Sequence, residues 1–147
     1  MRNLKQVFKW EHDQIKHGPA QWRGLCLSHA RHAWGLPVQA PSAKSFFDYV
    51  QAHHPKHLHH VDYREVPQGA IVLDPNLSKW GHAWISGHYA GHGISSDYKR
   101  SGHLDYVPLN LPRWRHGADA NKVFFTDWSH QGILPVGPVG PKHPKDK

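Results

Sequence analysis

The sequence predicts an α+β domain in which N-terminal helices pack on a small antiparallel sheet. Two observations lead there: helical periodicity fills the first third of the chain, and short strand-like segments between turn residues follow it. The first helix runs over 3–17, with Asn3 as cap, Leu4, Val7, Phe8 and Ile15 near one face, and Gly18-Pro19 as its stop. A short loop from Ala20 to Gly24 leads into a second helix. There Leu27, Ala30 and Trp34 repeat at helical spacing, as do Cys26, Ala30 and Ala33, until Gly35 and Pro37 end it. Cys26 therefore falls in a helical first turn. Ser42 caps a third helix whose buried stripe is Ala43, Phe46, Phe47 and Val50.

The histidine-rich stretch 53–60 is polar and breaks the pattern. Beyond it the period becomes strand-like, predicting strands over 70–73, 82–86, 93–97, 104–108 and 122–126. Residues 1–136 read as one catalytic-size domain, and the Pro/Gly/Lys-rich residues 137–147 as a flexible tail or linker.

Composition narrows the possibilities. The 147 residues suffice for one core, and seven Trp, five Tyr and five Phe argue against disorder. No apolar run approaches the ~20 residues of a membrane span, and charges interrupt the N-terminus before a signal-peptide core could form. The expectation is a chain without membrane insertion or a signal peptide. The single cysteine excludes an internal disulfide and every multi-cysteine zinc site. Lys and Arg total 18 against 11 Asp and Glu, a net charge of +7 that favours polyanionic partners.

A thiol attacks as thiolate, and a helix N-terminus favours the anion through its free N–H groups and dipole. Cys26 has that placement, and the same helix start offers N–H donors to an oxyanion. The inert alternative is an apolar Cys26 packed against the sheet. Sixteen histidines compete as its base. His82 is the best placed, because it opens a predicted strand, where a side chain is held rigidly. Period 2 puts His82, Trp84 and Ser86 on one face, which a helix could cover. Asp97 closes the next strand fifteen positions later, a hairpin distance, with Ser95 on its face. It is the candidate third group to orient the imidazole.

Taken in order, Gly24-Leu25-Cys26-Leu27, Pro67-Gln68-Gly69-Ala70-Ile71-Val72, Gly81-His82-Ala83-Trp84-Ile85 and Ser95-Ser96-Asp97 resemble the CHAP and NlpC-type peptidases. More narrowly, they resemble the cysteine-peptidase domains in endolysins of phages that infect actinobacteria. Trp114 and the Asp127-Trp128…Gly132-Ile133 ending resemble such lysins too, so the likeness spans 21–136. It implies a papain-like fold and hydrolysis of a peptidoglycan amide bond, either in the stem peptide or at the glycan–peptide junction. It also implies Cys26 as nucleophile, His82 as base and Asp97 as orienting group, with no cofactor or metal. Gln21 or Trp22 would stand near an oxyanion, with Trp84 and Ser95 as further substrate contacts. The partner implied is bacterial peptidoglycan, met by a monomer held in the host cytoplasm before release or carried on the virion. The chain departs from the pattern in Gly24-Leu25-Cys26, where Gly-Gln-Cys is usual, and in an Asp as third residue.

Two rival functions share these residues. His53, His54, His57, His59 and His60 could ligate a metal for a metal-dependent wall hydrolase, although the chain has no His-Glu-x-x-His. Basic residues interleaved with Trp and Tyr, as in Leu111-Pro112-Arg113-Trp114-Arg115-His116, could bind nucleic acid or another polyanion. Those basic residues are scattered, so no nucleic-acid partner is expected.

Overall fold

The computed structural model describes residues 1–38, 40–97, 100–110 and 121–146. Trp114 and its basic neighbours lie outside them. Three α-helices come first: α1 (Leu4–His17), α2 (Cys26–Trp34) and α3 (Ala43–His53). The strands β1 (Leu58–Asp62), β2 (Ile71–Asp74), β3 (His82–Ser86), β4 (His92–Ser96), β5 (Leu104–Pro108) and β6 (Lys122–Thr126) then form one sheet. Its order is β1-β6-β2-β3-β4-β5, and the described pairings are antiparallel. A small hairpin, β7 (Trp128–Ser129) and β8 (Gly132–Ile133), follows. The molecule is therefore α+β with helices preceding an antiparallel sheet.

The helices start differently, and the difference matters for the site. Asn3 accepts from the Gln6 N–H at 2.9 Å while its own N–H donates to Gln6 Oε1. Ser42 and Ser45 make the same reciprocal box at α3. Both boxes satisfy donors that a helix start otherwise leaves open. At α2 the cap position is Leu25, which has no side-chain acceptor to give. Donors are left for something else at Cys26.

The helices cover one face of the sheet. Leu27, Ala30, Ala33 and Trp34 of α2 and Phe46, Phe47 and Val50 of α3 pack with Ile71, Leu73, Ala83 and Ile85. Two alanines on α2 against Ala83 let helix and strand approach closely. Trp34 is fully buried, yet its ring N–H donates to Gly69 O at 2.9 Å, so no donor is stranded. Val72, Trp84, Val107, Val123 and Phe125 form a second cluster on the opposite face. The α2-covered face is thus that of Ala83 and Ile85, whereas the sequence reading had a helix over His82 and Trp84.

The end of the histidine-rich stretch is not loop: Leu58–Asp62 is the edge strand β1, paired with β6 over its whole length. Its imidazoles take the role of apolar side chains by stacking, His60 on Phe124 at 4.1 Å and His59 on Phe125 at 4.8 Å. Nor does the tail hang free. Gly137 N–H donates to Gln68 O, Gln68 N–H to Pro138 O and Ala90 N–H to Pro141 O, while His92 Nε2 meets Asp146 Oδ2 at 2.9 Å. That imidazole holds the Asp146 carboxyl below the usual carboxylate range.

A Cβ on Gly140 would lie 1.9 Å from His88 O, a contact no side chain can make. Gly140→Ala should therefore release the tail. The expected result is faster tryptic cleavage after Lys142 with the main unfolding transition little changed; unchanged protease resistance would contradict this docking.

Candidate active site

The loop before α2 is tied down from outside. Trp22 N–H donates to Gly102 O at 2.8 Å, and Gly24 N–H donates to Asp97 Oδ2 at 3.0 Å. Asp97 follows β4 in the left-handed region at φ 64, a conformation that Asp tolerates better than most residues. Its second oxygen accepts from Gly102 N–H. One carboxylate thus ties Gly102 to the loop that delivers Cys26.

Cys26 is the first residue of α2 and lines a cleft of about 690 Å³ together with His82, Asp97, Arg31 and Trp80. Burial pushes its thiol pKa up, and the nearby Asp97 carboxylate adds to the rise. The backbone N–H groups of Ala83, Leu27 and Cys26 pull the other way by hydrogen bonding to sulfur. The donors left open by the absent cap converge on the thiol, and a strand donor joins them. Burial outweighs them, so the thiol pKa lies above its ordinary value.

His82 heads β3, immediately before the Ala83 whose N–H reaches the sulfur. Gly81 makes this approach possible: at φ 70 it passes so close to the start of α3 that a Cβ would meet Lys44 N at 2.9 Å. The imidazole is half-buried, tilted against Trp84 at 5.4 Å, with Nε2 on Ser95 Oγ at 2.7 Å. Ser95 is fully buried and donates its own proton to Ser96 O. Its hydroxyl can then accept from Nε2–H.

The structure therefore brings Cys26, His82 and Asp97 to one cleft but gives the last a different partner. The group on His82 Nε2 is Ser95, while the Asp97 carboxylate serves Gly24 and Gly102. Period 2 had placed both residues on a shared face without resolving which lies diagonal to His82. Trp22 is 5% exposed and packs with Ile94 and Leu104, so it is core rather than an oxyanion donor. Gln21 is exposed and outside the cleft lining. Trp84 is fully buried among Val72, Val107 and Val123, and makes no part of the cleft wall.

Comparison of the chain with known families, curated proteins and solved structures returns no match. The site must be judged on its own geometry.

Three wall residues were not singled out from the sequence. Leu25, Val38 and Trp80 line the cleft while remaining 46%, 75% and 61% exposed, an apolar rim where water could be displaced by a ligand. An exposed Trp in the turn just before His82 was the available signal. The histidines of 53–60 are occupied elsewhere: His54 stacks on Trp128 at 4.1 Å and His57 meets Asp127 at 3.0 Å. Among the described residues no three His, Cys, Asp or Glu side chains converge for a metal ion. No described helix is long and apolar enough to cross a membrane.

Proposed function

We propose that this chain is a cysteine hydrolase of papain-like architecture that cleaves an amide bond in peptidoglycan, as a phage endolysin or virion-associated lysin. The observation that carries the proposal is the uncapped start of α2, which holds the Cys26 thiol among three backbone N–H donors in a cleft whose lining also includes His82. In this reading the His82 imidazole takes the thiol proton as sulfur bonds to the substrate carbonyl. The carbonyl oxygen becomes an oxyanion facing the α2 N–H groups. The C–N bond then breaks, the amine departs with the proton from His82, and water hydrolyses the thioester. Ser95 replaces Asp97 as the group that fixes the imidazole, and Asp97 becomes the clamp on the Gly24 loop. The wall substrate and the phage setting come from the ordered motif resemblance.

Release of new amino groups from purified peptidoglycan tests the reaction, with loss after iodoacetamide treatment as the supporting result. A pH consequence follows from the direction of the thiol shift. A raised pKa leaves the thiolate scarce at neutral pH and more abundant as pH rises. Iodoacetamide labelling of Cys26 should thus show a midpoint above the ~8.5 of a free thiol. A labelling midpoint below 7 would mean a resting thiolate–imidazolium pair instead.

A further inference from the structure

Among the described residues, Arg31 is the one Lys or Arg that lines the cleft. Arg31 lies five residues beyond Cys26 on α2, about 7.5 Å along the helix axis at 1.5 Å per residue. Its Nη1 donates to Leu36 O at 3.1 Å, and Nη2 makes a long contact of 3.4 Å to Ser28 Oγ. Both partners are neutral, and among the described residues no carboxylate pairs with it. A guanidinium has five donors in a rigid fork, so most of them remain to be used. A half-buried cation with no carboxylate bonded to it among the described residues, in the wall of a cleft, fits a planar anion that supplies the missing acceptors. Ser28, which also lines the cleft, adds a hydroxyl beside it.

We propose that the cleft takes acyl substrates bearing a free carboxylate within a few residues of the scissile carbonyl, and that Arg31 binds this carboxylate. The Asp97 carboxylate, close enough to raise the Cys26 pKa, repels an anion in the same cleft. Among the described lining residues, Arg31 is the permanent cation that can offset this repulsion. The proposal deepens the hydrolase reading by naming its substrate class, but it can be tested without turnover.

The probes are bromoacetyl-glycylglycine and bromoacetyl-glycylglycinamide, which alkylate Cys26 by displacing bromide and differ in the terminal carboxylate. The native chain should be labelled by the carboxylate reagent roughly tenfold faster at low salt, in line with a charge-assisted hydrogen bond. Arg31→Gln should remove that preference, and Arg31→Lys should keep part of it, because a point charge replaces the fork. Thermal melts of both variants check that loss of the Leu36 contact has not unfolded the chain. If Arg31→Gln does not fold, the native chain and Arg31→Lys decide. Equal rates for the two reagents on the native chain, or an unchanged preference in Arg31→Gln, would overturn the proposal. A labelling preference without peptidoglycan cleavage sinks the hydrolase reading alone; cleavage without a preference sinks the Arg31 proposal alone.

Discussion

Cys26→Ala should abolish release of amino groups from peptidoglycan, with a loss of at least ~10³-fold, while leaving the fold intact. The size of the loss follows from removing the atom that forms the acyl intermediate, since the remaining donors and base act only through it. The intact fold follows from position. Cys26 is only partly buried at a helix start, and an alanine there is a good helix former that removes one sulfur. Equal melting temperatures for the two proteins would separate chemistry from stability. Cys26→Ser is the sharper variant, because its hydroxyl keeps the contacts of the thiol and lacks its nucleophilicity. A Cys26→Ala protein that still cleaves peptidoglycan would remove the mechanism altogether.

The second large effect concerns stability. Glu11 on α1 and His29 on α2 form a pair at 2.7 Å with 1% and 0% side-chain exposure. Trp10 stacks over His29 at 6.1 Å, and Trp22 meets it edge-on, so water has little access. Breaking a buried pair from one side leaves a polar group without its partner, a cost of about 3–5 kcal/mol. Glu11→Ala should therefore lower the melting temperature by roughly 10 °C or more for a domain of this size. The double replacement Glu11→Met with His29→Leu should recover much of that loss, because neither polar group then remains. Lys9–Asp13, one turn away but exposed, is the control: its removal should change stability by less than ~0.5 kcal/mol. Equal effects at the two sites would show that the Glu11–His29 pair is not buried in solution. The pair also links α1 to the helix that carries Cys26, so its loss should narrow the temperature range of activity.

Most elements were legible because burial imposes a period on side chains. The three helices and the strands β2 to β6 follow from it, and Cys26 at the start of α2 follows from Gly24 and the apolar repeat behind it. What escaped has a shared physical origin in contacts that carry no local signature. Glu11 sits on the buried side of α1 although its residue type reads as solvent-facing, and its reason to be inside is a histidine eighteen positions away. β1 was hidden because imidazoles occupy positions normally filled by β-branched residues, and only Phe124 and Phe125 across the strand pair make them suitable. The tail is held mainly by backbone donors of Gly137, Gln68 and Ala90, which composition cannot report.

The exchange of Ser95 for Asp97 at His82 has the same cause. Alternation gives a face, but the choice between a directly opposed and a diagonal neighbour depends on side-chain reach across β3 and β4. Similarly, the sequence put Trp84 on the His82 face correctly, while which face α2 would cover is decided by the alanines of α2 against Ala83 and Ile85.

The most direct test of the central claim is amine release from purified peptidoglycan by the native chain, in the presence of a chelator, before and after complete alkylation of Cys26. Amino groups should appear with the chelator present, and their release should stop in proportion to the fraction of Cys26 alkylated. Release that persists on fully alkylated protein, or no release from any peptidoglycan by protein with a free thiol, would contradict a Cys26 hydrolase.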